Sequence, residues 1–399
     1  MLETRGVMQR DNLPLPGADA QAHSLLVAQR IRAEIIQQGP IPFARFMDLA
    51  LHAPGLGYYS AGAPKIGSTG DFITAPEISP LYSRCIARQC QQVIESLDGG
   101  DILEVGAGSG VMASDVLLEL ETLQALPTHY YILESSADLR QRQQQLLRFR
   151  CAHLMDRICW LDTLPAVFNG VVLANELLDA MPVHRIEFTQ NGVMESYVDA
   201  IGDEFVWRVG NITEPALAAR ANALLTEFGT SPFLEGYTSE VNLAAESWIN
   251  SIAAMLSQGL LLIVDYGFPR HEYYHPDRSG GTLMCHYRHY AHANPLILVG
   301  IQDLTAHIDF TAMAQAGADS GLEVSGYTSQ AYFLLALGLD QMVAQSDPSE
   351  IRQHLTLTQQ VKTLTLPNEM GELFKVMALS RGLDIPLRGF SLIDHRSRL

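Results

Sequence analysis

The sequence predicts an α/β protein built on a parallel sheet wrapped by helices. Between residues 101 and 175 the short apolar runs "DILEVG", "HYYILES", "RICWLD" and "GVVLANE" alternate with segments of helical periodicity. After a stretch of different texture the pattern resumes at "GLLLIVDYGF". The first run ends in "GAGSG", a glycine-dense turn at the point where a strand hands over to a helix.

Each element follows in order. Residues 1–20, polar and Pro-containing, read as a flexible tail, and residues 21–98 as an N-terminal helical and loop extension. Its first helix is expected near Ser24, where Leu25, Ala28, Ile31 and Ile35 recur at helical spacing, and Gly39-Pro40 stops it. A second helix follows Pro42 with Phe43, Phe46, Leu49 and Ala50, and ends before Pro54. Residues 53–79 make a Gly- and Pro-rich loop, unusually long for mere connection. Ser79 and Pro80 suit an N-cap and first position of a helix through Leu97, and Gly99-Gly100 closes the unit.

The core spans residues 99–328. One helix starts at about Gly110 and another runs through Arg150. At about 183–258 an antiparallel and helical insertion interrupts the core. There Asn191-Gly192 between alternating segments predicts a hairpin, and "SEVNLAAESWINSIAAML" a helical segment. A His- and Tyr-rich loop, a helix near Phe310 to Ala316 and the strand "LEVSGYTS" follow "GLLLIVDYGF". Residues 329–369 read as a helical insertion, and "LFKVMALS" in residues 370–399 as the last core strand before a C-terminal tail.

Composition narrows the function. With 399 residues, 47% of them hydrophobic, the chain can bury a sizeable core. The formal charge of −18 opposes binding to phosphate backbones, so no nucleic-acid partner is expected. Five cysteines, odd in number and without a Cys-x-x-Cys pair, indicate neither a zinc site nor a disulfide framework, which fits a reducing cytoplasm. Residues 1–20 lack the apolar block of a signal peptide, and the apolar run at 260–264 is far too short to cross a bilayer, so no membrane span is expected.

Gly106, Gly108 and Gly110 let the chain turn sharply and bring bare backbone against a ligand, and the next helix points free N–H groups at it. A dinucleotide site requires G-x-G-x-x-G, but Val111 occupies the place of the third glycine. The spacing is G-x-G-x-G, preceded by Glu104, and an acid there suits a cationic ligand. S-adenosylmethionine carries a sulfonium and an ammonium close together. Glu134, after the second strand, stands where a carboxylate accepts from ribose hydroxyls, and Asp162, after the third, where one reaches an adenine amino group. Each signal alone is weak, since a glycine trio also serves as a packing turn; their order along one sheet carries the reading.

The stretches "GDFITAPEIS" (70–79), "EVGAGSG" (104–110), "ANELLDAMPVHR" (174–185), "LLLIVDYGF" (260–268) and "DLTAHIDF" (303–310) resemble the MidA-like S-adenosylmethionine-dependent methyltransferases over about residues 24–385. The resemblance implies a seven-stranded Rossmann-like methyltransferase core with an N-terminal helical extension and α/β insertions. Mitochondrial members of that family are complex I assembly factors that methylate an arginine of a complex I subunit. The resemblance therefore favours arginine on a protein substrate and leaves this chain's own acceptor open.

Several acids stand ready for that chemistry. Asn175, Glu176 and Asp179 follow the fourth strand, at the rim where open α/β sheets place ligands, with Asn175 on the cofactor side. If residues 176–179 begin a helix, Glu176 and Asp179 share one face and can grip a guanidinium; the structural alternative is an Asn175 cap with acids favouring the helix's positive end. Asp265 ends the "LLIVDY" strand and either orients a substrate amine or caps a turn. In the long loop Gly70, Asp71, Thr74 and Glu77 either fold over the methionine end of the cofactor or make turn hydrogen bonds. His286, His289 and His292 lack an accompanying ligand at a recognised spacing, and no metal is expected. The leading expectation is thus protein methylation. The alternatives are a small-molecule methyltransferase, a non-catalytic assembly chaperone that keeps the cofactor pocket and, more remotely, a nicotinamide dehydrogenase.

Overall fold

Val171, Val172 and Leu173 are buried on both sides of their strand, as a central parallel strand requires. The computed structural model that shows this describes residues 13–60, 73–190, 192–229, 233, 235–347 and 349–399. We number the main strands β1 (Asp101–Val105), β2 (Tyr130–Leu133), β3 (Ile158–Leu161), β4 (Phe168–Asn175), β5 (Leu256–Phe268), β6 (Glu323–Ser329) and β7 (Phe374–Arg381). They lie side by side in the order β6-β7-β5-β4-β1-β2-β3, and the short Ile308–Asp309 strand adds to the end of β5. All pairings along the path are parallel except those of β7, which runs antiparallel to both neighbours.

Helices cover both faces. Pro80–Ser96, Val111–Thr122 and Ala137–Arg150 pack one face through Ile86, Val93, Val116 and Leu147, and Leu243–Met255 with Phe310–Asp319 pack the other through Ile249, Ile252 and Met313. The Pro80–Ser96 helix starts as the sequence predicts, with Ser79 Oγ accepting from the Leu81 N–H.

Around this core lies an accessory layer. Strands Ile41–Pro42, His184–Thr189, Gly192–Ile201, Glu204–Gly210 and Tyr237–Val241 form an antiparallel sheet, and helix Phe43–His52 packs on it, Phe43 against Trp207 and Phe46 against Phe205. The N-terminal segment and the insertion thus share one hydrophobic cluster, with Ile31, Phe43 and Phe46 meeting Val183, Val198 and Leu304. Asn191, half of the expected hairpin signal, lies outside the described residues, but the strands on either side pair antiparallel.

Some boundaries differ from the sequence reading. The first helix spans Ala18–Gln38 and so begins before Ser24. The stretch read as one helix from Ser239 splits into strand Tyr237–Val241 and helix Leu243–Met255, because Asn242 caps the helix by accepting from the Ala245 N–H at 2.9 Å while the residues before it pair with His184–Thr189. The His-rich tract is a hairpin, Met284–Tyr287 with Tyr290–His292, joined by Asp303–Thr305 into a small sheet. His289 occupies its turn, so the three histidines share no face, and no group of three or more metal-ligating side chains occurs among the described residues. Residues 329–369 contain helices Gln330–Ala336, Leu339–Ala344 and Ile351–Thr365, and no helix among the described residues is long and apolar enough to cross a membrane.

Candidate active site

At the carboxyl edge of β1 and β4 the chain encloses a cleft of about 250 Å³. Its floor is the glycine turn. Gly106, Gly108 and Gly110 all take positive φ, +71°, +54° and +85°, a region that costs an L-residue about 1–2 kcal/mol. A Cβ on Gly106 would stand 2.9 Å from Leu177 Cδ1, the movable tip of a side chain, so it is conformation more than space that calls for glycine there. Gly106 and Gly108 line the cleft, whereas Gly110 sits behind it as the N-cap of helix Val111–Thr122.

Two carboxylates flank the turn. Glu104, only 2% exposed, accepts from Tyr130 Oη at 2.7 Å and pairs with no lysine or arginine among the described residues. Its burial raises the carboxyl to about 7, with a further push from Glu134 and an opposing one from the Tyr130 hydroxyl. Glu134, also buried, accepts from the Ser136 N–H at 2.9 Å and from Gln143 Nε2 at 3.0 Å, and burial likewise raises it. Desolvated acids on a cleft wall, held mainly by neutral hydrogen-bond donors with only Arg140 acting on Glu134 from nearby, fit a positively charged ligand whose hydroxyls complete their hydrogen bonding, as S-adenosylmethionine does. Asp162 does not join them. Its side chain is 86% exposed, pairs with Arg140 Nη2 at 2.9 Å and is not among the residues that line the cleft. The cause is local: Arg140 on the helix after β2 captures the acid just beyond the end of β3.

The other half of the cleft is acidic. Asn175 ends β4, receives the Tyr82 hydroxyl on Oδ1 and offers Nδ2 to Glu176 Oε1 at 3.4 Å. Glu176 starts no helix. Its N–H continues the ladder to the Val264 carbonyl at 2.8 Å, and the chain then bends at φ +49°, an unusual conformation for glutamate that marks a constrained position. Glu176 Oε1 also accepts from the Ala75 N–H at 3.1 Å. Burial, reinforced by Asp179, lifts its carboxyl to about 8.

Asp179 and Asp265 lie beneath this turn. Asp179 Oδ2 accepts from Tyr266 Oη at 2.5 Å, Oδ1 is buried without a partner, and burial lifts the carboxyl to about 6. Asp265 is fully buried. Its Oδ2 accepts the N–H groups of Leu178 and Asp179 at 3.0 and 3.3 Å, its Oδ1 accepts that of Tyr266, and burial next to Asp179 and Glu176 holds it well above the usual carboxylate range. Of the two roles open to Asp265, orienting a substrate amine or capping a turn, its burial and its three backbone donors favour the second, holding the 176–179 turn in place.

Short helix Ala75–Ile78 ties the two halves together. Besides the Ala75 bond to Glu176, Glu77 accepts the hydroxyl of Ser109 from the glycine turn, and Thr74 lines the cleft. Gly70 and Asp71 lie outside the described residues. Sequence reasoning missed His52, Tyr59 and Leu177, which also line the cleft, and Asp303, which anchors Tyr59. Tyr59 stands in the "GYYS" of the long loop and Asp303 opens the "DLTAHIDF" stretch, but their pairing across 244 residues is a product of folding.

Comparison with known proteins agrees with this geometry. Residues 85–328 match the profile of a family described as "Putative S-adenosyl-L-methionine-dependent methyltransferase". A solved structure from Burkholderia thailandensis, bound to S-adenosyl-homocysteine, is 42% identical, superposes with a TM-score of 0.93 and is matched over 97% of this chain and 100% of that one. Among curated proteins, the mitochondrial protein arginine methyltransferase NDUFAF7 of Danio rerio is 27% identical over 88% of this chain and 86% of its own length. The human protein of the same name is also 27% identical, over 87% and 81% respectively. A glycine turn flanked by unpaired buried acids, on this sheet and with these relatives, identifies the chain as a member of that family of S-adenosyl-L-methionine-dependent methyltransferases.

Proposed function

We propose that this enzyme methylates an arginine side chain of a protein substrate. The observation that carries the reading is Glu176, an acid that lines the cleft beside the glycine turn on a bend held by the buried Asp265. Glu104, Gly106, Gly108, Glu134 and Asn175 would hold the cofactor, and Glu176 and the turn it tops the acceptor. When bound, S-adenosylmethionine supplies an electrophilic methyl group: a guanidine nitrogen forms the new N–C bond, the S–C bond breaks with its electron pair left on sulfur, and one proton is released.

A guanidinium is a reluctant nucleophile because its charge is delocalised and its pKa exceeds about 12. Glu176 addresses both difficulties. Its carboxylate would pull charge toward one end of the guanidinium and leave more electron density on the nitrogen facing the methyl group. Once the bound guanidinium has favoured its ionised form, its raised proton affinity makes it the receiver of the released proton. The net charge of −18 favours approach of basic protein segments, and the relatives that share most of the chain's length carry the name protein arginine methyltransferase. The cytoplasm suits the free cysteines Cys85, Cys90, Cys151, Cys159 and Cys285.

The test incubates purified protein with methyl-labelled S-adenosylmethionine and extract from a strain lacking the gene. A labelled protein band that yields methylarginine on hydrolysis is the expected result. Label found only in an extractable metabolite, or on another amino acid, would overturn the proposal.

A further inference from the structure

Carboxylates recognise charge, and a lysine ammonium would satisfy them as well as an arginine. Selectivity for a guanidinium needs a feature that reads shape, and the cleft contains one. His52, at the end of helix Phe43–His52, and Tyr59 line the cleft with ring centroids 5.6 Å apart and planes only 15° from parallel. Each ring is pinned at its polar end. His52 Nε2 lies 3.2 Å from the Ala180 carbonyl, which can only accept, so the proton is on Nε2 and the ring is locked to the turn that carries Glu176. Tyr59 Oη donates to Asp303 Oδ1 at 2.8 Å, and Tyr58 packs edge-on against the Tyr59 ring at 5.1 Å.

Both rings line the cleft and neither is fully buried, His52 being exposed and Tyr59 half-buried. Charge favours the same use. Protein packed around the ring nitrogens lowers the proton affinity of the His52 imidazole despite Asp48 nearby, which favours the neutral ring over a cation. A planar, weakly hydrated guanidinium gains from lying against such a face, whereas a compact, strongly hydrated ammonium gains much less. We propose that His52 and Tyr59 form a stacking shelf that selects the planar guanidinium of the acceptor over an ammonium. This inference rests on the arginine reading of the site.

The full chain, saturated with S-adenosylhomocysteine, is titrated with Nα-acetyl-arginine methylamide and with the lysine counterpart, and binding is followed by NMR. The wild type is expected to favour the arginine probe by about fivefold or more. His52→Ala should erase most of that preference while His52→Phe keeps it, with S-adenosylhomocysteine affinity serving as the control for folding. A full preference retained by His52→Ala, or a loss shared by His52→Phe, overturns the shelf and leaves the arginine reading standing. A wild type that does not prefer arginine overturns both.

Discussion

Taking the pH from about 6 to about 8 is expected to tighten binding of S-adenosylmethionine roughly tenfold, through Glu104. Burial holds this carboxyl at about 7 rather than at its ordinary 4.5. In the empty cleft it is therefore about one-tenth ionised at the lower pH and about nine-tenths at the higher. A cationic ligand favours the ionised form, so apparent affinity should follow that ratio, which is about 1.4 kcal/mol. The sign for stability is opposite. Because the folded value is raised, the native protein holds a proton that the unfolded chain has already released; this stabilisation is complete below pH 4.5 and is lost as pH rises through about 7. The distance between the two values corresponds to at most about 3–4 kcal/mol, undiminished by solvent screening at 2% exposure. Isothermal titration calorimetry across the range, in buffers of different ionisation enthalpy, reads both the affinity and the protons released. S-adenosylhomocysteine, with an uncharged sulfur, should show a shallower slope, and Glu104→Gln almost none. A flat wild-type profile, or the full slope surviving in Glu104→Gln, refutes the reasoning.

Gly108→Val should abolish cofactor binding, because Gly108 lines the cleft at φ +54°, a conformation a β-branched residue would distort. The backbone penalty of about 1–2 kcal/mol should still leave a cooperative thermal transition, and calorimetric binding equal to wild type would dismiss the pocket. Glu176→Gln should keep cofactor affinity near wild type yet slow single-turnover transfer by about a hundredfold or more; an unchanged rate removes Glu176 from the chemistry. Asp265→Asn turns one acceptor oxygen into a donor facing backbone N–H groups. It should cost about 1–3 kcal/mol in thermal unfolding and lower kcat by disturbing the 176–179 turn, and an unshifted Tm would show that the turn does not depend on it.

The fold was largely legible because it rests on local pattern. Alternating apolar strands and helices between residues 101 and 175 report a sheet buried on both faces, whatever else the chain does. Glu104, Gly106, Gly108 and Glu134 were readable for a related reason: a strand tip, a turn and a helix start are contiguous in sequence, so spacing alone sets them around one space.

What the sequence could not decide was which acids face that space and which face protein. Asp162 and Glu134 both follow a strand, yet Arg140 draws one to the surface while Ser136 and Gln143 hold the other in the cleft wall. Asp265 looks as catalytic as Glu176 in one dimension, but in three it is sealed under the turn that Glu176 tops. The pairs His52 with Ala180, Tyr59 with Asp303 and Ala75 with Glu176 join residues 128, 244 and 101 positions apart. Periodicity and spacing encode an element's own faces, so the sequence determined the sheet and its glycine turn. Burial and partnering depend on what packs above, so only the tertiary structure decided how each acid is charged and what it can touch.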